Sequence, residues 1–485
     1  MDCSRSLHRT VSTCFAVLVL GSPTLALAQL VDLGTLGGNV CTASNTSDTG
    51  AVVGACRDAE GDIAAVYWPP GISTPTLLST LEPDGPCSVF DINNANVAVG
   101  GCEQGTAGED FPVRWVASLP GSTPQRLKPL AGHAKAAASA INHAGVVAGV
   151  SIDNDGGDHA VLWRPNQTGP TTLPELGLLP PLIPSTTECH VTDMTDTDWP
   201  VAVGICQLRD GGAVAVRWTS GLLGYSATQL PRLPGGSNCA AAAINTNLAV
   251  AGTCEDEDGD AIAVLWAPDG NSLTYLDYLE ASGESRQQLA VIDMNEAGVV
   301  LGNYLTDDGL ARAFVWVPIG DPALEEGLDI GSLGGAWTAG RDIAGNGYVV
   351  GTAQNASGLA ESFIWKPTTG IQGLGTLGGF SSQATALSDD GLNLVGSSQV
   401  ASGHMHAYAA GNAKRSAGKA NSMDSAHGGP AFLPWHREYL KRMEIALRAF
   451  DSSVAIPYWD STLDSHLPNP AQSVLWREQY FDTAY

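Results

Sequence analysis

The sequence predicts a mainly β fold, a propeller of about eight four-stranded blades, followed by a short and partly α-helical segment. Three observations carry that expectation. A Val-Val-Gly run or a near variant ends at Gly54, Gly100, Gly149, Gly204, Gly252, Gly302, Gly351 and Gly396, so a unit of about 49 residues recurs along the chain. An apolar stretch closing on tryptophan follows most of these glycines, at Trp68, Trp115, Trp163, Trp218, Trp266, Trp316 and Trp365. The 57 glycines and a charged content of only 15% suit a turn-rich all-β body.

Each unit reads alike from end to end. It opens on Leu-Gly-Thr-Leu-Gly-Gly or a relic of it, best kept at residues 32–38, 331–335 and 374–379. An Ala-x-x-Ile-Asn element, the Val-Val-Gly run and the Trp-ending run then follow. The β-branched runs read as strands, and elements such as Asn142-His143-Ala144-Gly145 as tight connections between them. Four strands in about 49 residues is the arithmetic of one blade. The chain enters through Leu30-Val31-Asp32-Leu33, and the eighth copy stops at His406-Ala407-Tyr408 without a trailing strand. The entering strand should therefore complete the last blade, because closure removes both open edges. Gly-Thr-Leu-Gly-Gly is no phosphate loop: it lacks the Lys-Ser/Thr ending, and its glycines read as turn residues. The repeats resemble the bacterial extracellular HAF repeat family, whose His-Ala-Phe survives as His159-Ala160-Val161 and His406-Ala407-Tyr408. That resemblance spans residues 30–410 and implies no particular chemistry.

Cysteine spacing supplies an independent register. Outside the leader the cysteines fall in pairs, Cys41 with Cys56, Cys87 with Cys102, Cys189 with Cys206 and Cys239 with Cys254, the second member always two residues after the repeat glycine. Each pair should face across one antiparallel hairpin, giving four disulfides made in an oxidising compartment. No Cys-x-x-Cys occurs, which argues against zinc at these positions. At the amino end Arg5 and Arg9 precede an apolar run, and Ala26-Leu27-Ala28 offers a small-x-small cleavage site before Gln29. Residues 1–28 thus read as a secretion signal, with no membrane span expected elsewhere. A formal net charge of −27 excludes a nucleic-acid partner, which needs a basic face, and favours solubility instead. The acidic run Glu255-Asp256-Glu257-Asp258-Gly259-Asp260 lacks the spacing of a calcium loop and reads as a solvated one.

Residues 411–425 suddenly carry basic charge, at Lys414, Arg415 and Lys419, and read as a linker or fusion junction. Beyond them Pro434 suits the first turn of a helix expected over residues 434–450. His436, Leu440, Met443 and Leu447 recur at helical spacing, so His436 shares the buried face. His427 sits in the Gly-Gly-Pro loop before it, and two imidazoles this close suit copper, zinc, iron or nickel. The pattern at His427, Phe432, Leu433, Trp435, His436, Arg437, Leu440 and Glu444 resembles the first copper-binding signature of the tyrosinase, catechol oxidase and hemocyanin group. Residues 456–464 resemble the extended segment that follows it in animal tyrosinase-like proteins. The resemblance implies copper as cofactor, with His427 and His436 as second and third ligands of the first ion. It also implies a phenolic small molecule as partner, oxidised with dioxygen. The family holds two coppers on three histidines each, and this chain departs from that pattern. Only His466 lies downstream, while upstream His404 and His406 are near and His406 falls in register with His159 of the repeats.

The expected organisation is a signal peptide at 1–28, a repeat propeller at 29–410, a junction at 411–425 and a truncated tyrosinase-like segment at 426–485. One functional expectation is a copper-binding oxidoreductase by resemblance, without turnover in this truncated chain. Another is a secreted, non-enzymatic propeller that binds an extracellular partner on a blade face. A third is a junction of two unrelated reading frames.

Overall fold

In the computed structural model the described residues run from 30 to 411, apart from stretches at 83–84, 105–108, 120, 178–185, 210, 277–286 and 319–326. Among them every helical or strand element is a strand. The helix expected over 434–450, with His427 and His436, lies outside the described residues.

The strands make eight antiparallel blades of four. The first holds β2 (Gly37–Thr46), β3 (Val52–Asp58), β4 (Ile63–Trp68) and β5 (Thr76–Leu77) in chain order. Later blades begin at β6 (Cys87–Ile92), β10 (Lys135–Ile141), β14 (Thr186–Met194), β18 (Cys239–Ile244), β22 (Gln287–Met294), β26 (Gly334–Ile343) and β30 (Gly378–Leu387). The last blade continues through β31 (Asn393–Val400) and β32 (Met405–Gly411), and its fourth strand is β1 (Val31–Asp32). Val31 pairs with Ala409 and Asp32 with Tyr408, so the entering strand closes the ring as its sequence suggested. Closure also packs β2 beside β30.

The repeat residues have physical reasons. A Cβ on Gly54 or Gly100 would collide with the carbonyl oxygen of Thr42 or Ser88 on the neighbouring first strand. The Val-Val-Gly glycine therefore serves close backbone approach, not a turn. The tryptophans are buried, and five of them tie their third strand to the segment entering its own blade. The indole N–H groups of Trp68, Trp115, Trp163, Trp218 and Trp266 donate to the carbonyls of Leu33, Ser79, Lys128, Pro174 and Pro231 at 2.7–2.8 Å. In the last blade Ala410 stands at that register position, opposite Leu394. The four disulfides are those the spacing predicted, Cys41–Cys56, Cys87–Cys102, Cys189–Cys206 and Cys239–Cys254. Apolar burial is spread over the blade interfaces. One cluster joins Val53, Ala65 and Tyr67 of the first blade to Val89, Val113 and Trp115 of the second.

Candidate functional site

All eight first strands carry a β-bulge near their ends, between Ala43 and Asn45 in the first blade and between Val191 and Asp193 in the fourth, for example. The backbone N–H just after each bulge bonds a side chain. Thr46 N–H donates to Asn45 Oδ1 at 2.7 Å. Ile92 and Ile141 both donate to Asp91, at 2.7 and 2.8 Å. Met194 and Ile244 both donate to Asp193 at 2.7 Å. Met294 and Ile343 likewise share Asp293, and Leu387 donates to Asp342. One carboxylate thus serves its own blade and the next, which explains why Ala140, Ala243 and Ala386 suffice where they follow an aspartate blade.

These carboxyls line a cavity of about 610 Å³ to which every blade contributes, on the axis of the ring. Burial pushes Asp91 up to about 6 and Asp193 up to about 7, against the opposing pull of the N–H groups they accept. Asp293 and Asp342 hydrogen-bond to each other, and burial, then the charge of Asp293, hold Asp342 well above the ordinary carboxyl range. Burial raises Asp293 as well, so the two carboxyls titrate as a pair.

Three residues beyond the one that closes each bulge lies the mouth of this channel, where Asp48, Asn94, His143, Asp196, Thr246, Glu296, Gly345 and Asp389 each come from a different blade. Neighbouring blades pair there. Asn94 Nδ2 donates to Asp48 Oδ2 at 2.7 Å, and Thr246 Oγ1 donates to Glu296. His143 reaches further, with Nδ1 at 3.3 Å from Asp196 Oδ2 and Nε2 at 3.1 Å from Asp389 Oδ2. The hydrogen bond with Asp389 pushes its imidazole up to about 9, partly opposed by burial and reinforced by the charges of Asp196, Asp389 and Asp48. At neutral pH His143 is thus a cation spanning an acidic mouth.

Of the histidines singled out in the sequence, His406 lies in β32 with Nδ1 at 2.9 Å from Asp32 Oδ2, inside the closure of the ring. His159 holds the same place in its own blade, between Glu175 at 3.0 Å and Asp153 at 3.2 Å. His404 is exposed in the turn before β32. The acidic run at 255–260 is a turn in which Asp256 Oδ1 accepts the N–H groups of Asp258 and Asp260, both at 2.9 Å. Sequence reasoning missed the channel acids. Their signal was the residue before each Ile, Met or Leu of the first-strand motif, aspartate in four blades and alanine in three.

Comparison with known proteins finds a likeness at the carboxyl end. Residues 397–484 match the family model described as the common central domain of tyrosinase. A tyrosinase-like protein of Caenorhabditis elegans is 53% identical over 60 residues, 12% of this chain and 9% of that protein. The tyrosinase of Streptomyces lincolnensis is 43% identical over 60 residues, 12% of this chain and 20% of its own. The chain therefore spans a fifth or less of these relatives. A solved lectin from Burkholderia pseudomallei superposes with a TM-score of 0.40 at 11% identity, covering 68% of this chain and 96% of the lectin, too loosely to carry an inference.

The family match begins inside β31, so residues 397–411 of it are strands of the last blade. The tyrosinase family implies copper, and imidazoles at 427 and 436 are suitable donors. Within the blades His406 is engaged by Asp32, His133 by Ser151 and His190 by Asp158.

Proposed function

We propose that the chain is a secreted propeller carrying a tyrosinase-like copper-binding segment, with His427 and His436 as its copper ligands. The reading rests on the 53% identity over 60 residues to a tyrosinase-like protein. Its reaction class by resemblance is oxidation of phenols or catechols with dioxygen. The 485-residue chain binds copper without turning over, because five of its ten histidines, at 133, 143, 159, 190 and 406, are engaged in the blades, which leaves five where two three-histidine sets need six. The test is copper content of purified, tag-free protein beside oxygen uptake with catechol. Copper that is lost in His427→Ala and His436→Ala, with no uptake, supports the reading. Copper retained in both variants overturns the ligands, and quinone formation abolished by His436→Ala overturns the lack of turnover.

The closed ring and its axial cavity favour a second reading, a non-enzymatic propeller that binds an extracellular partner. Four disulfides fit folding in an oxidising compartment, and secretion follows from the leader at 1–28. Sequencing the amino terminus of exported protein should return Gln29 first.

A further inference from the structure

We propose that the channel mouth is a divalent-metal site of the propeller, with the His143 imidazole and the Asp48 and Asp389 carboxylates as its protein ligands. The three belong to the third, first and eighth blades. They converge because the same turn position points into the axis from each blade, and one donor atom from each lies within 4.8 Å of the others. One imidazole with two carboxylates is a donor set for a zinc-like ion, and three protein ligands leave a position for water or a small ligand.

The residues around the donors are arranged as they would be around a metal. Asp196 takes the Nδ1 side of His143 at 3.3 Å, which turns Nε2 toward Asp389. A carboxylate on the far nitrogen is the usual partner of a metal-binding histidine. Asp48 is held on both oxygens, by Asp390 N–H at 3.0 Å and Asn94 Nδ2 at 2.7 Å. A scatter of surface acids has no such orientation.

The site is independent of His427 and His436, and the test removes them. Zinc chloride is titrated calorimetrically into the tag-free full chain carrying H427A and H436A. One zinc per chain is expected. His143→Ala should weaken binding at least tenfold, and Asp196→Asn, which leaves all three ligands in place, by about 10–100-fold. Absence of stoichiometric binding, or an affinity unchanged in His143→Ala, overturns the site. The His143 side chain is 37% exposed, so its removal should be tolerated; if that variant fails to fold, Asp196→Asn decides alone, unchanged affinity counting against the site.

Discussion

Asp193 shows how much one side chain does in this ring. Its carboxylate accepts N–H groups from two blades, Met194 in its own and Ile244 in the next. Asp193→Ala leaves both donors unpaired beside the channel, at roughly 1–3 kcal/mol each. A loss of about 2–6 kcal/mol is expected in denaturant unfolding. The same change at Glu296, exposed at the mouth, should cost far less. His143 gives a pH signature. Its folded value of about 9 lies above the ordinary 6.5, so its contribution is fully present below 6.5 and is lost as pH rises through 9. Unfolding measured from pH 6 to 10 should show this decline in the parent and a flatter profile in His143→Ala. Neither residue was legible beforehand. A repeat position that alternates between aspartate and alanine looks degenerate until the bulge shows that one carboxylate serves two blades.

At the scale of the element, the sequence was more legible. The repeat glycine, the tryptophan and the paired cysteines each report a contact inside one blade, where sequence spacing and spatial spacing coincide. The cysteines predicted the register of the first hairpin because a disulfide needs facing strands, and Cys239 does pair with Cys254. Replacing both with serine opens a 15-residue separation and should cost about 3 kcal/mol by the loop-entropy account, read as a lower denaturation midpoint. Non-reducing peptide maps should return only links within blades. The Gly-Gly opening was only partly legible. It read as a turn, yet Gly37 and Gly38 begin β2, and Gly38 lies where a side chain would strike the Arg57 carbonyl.

For the whole molecule, the question is what keeps a ring of eight nearly independent blades from opening at its seam. Blades pack through shared apolar interfaces, so each loses one face if the ring parts. The seam is held by β1 on β32, by Asp32 on His406 at 2.9 Å, and by Thr385 Oγ1 donating to the carbonyl of Ala43 at 3.0 Å. The N–H of Leu33 also donates to the Ala407 carbonyl at 3.0 Å, and that of Asp390 to Asp48. Closure was legible because a lone strand at one end and a missing strand at the other are complementary deficits. The carboxyl segment was legible as a tyrosinase resemblance, and the family match overlaps strands that the ring already uses. Removing residues 30–33 therefore tests the ring apart from the segment. It should bare the edge of β32, a template for pairing with another chain. Light scattering should then show self-association that the intact ring lacks, while Asp32→Ala, which keeps the strand, should stay monomeric with a lower melting temperature. If the deletion remains monomeric and as stable as the parent, β1 is not the closing strand.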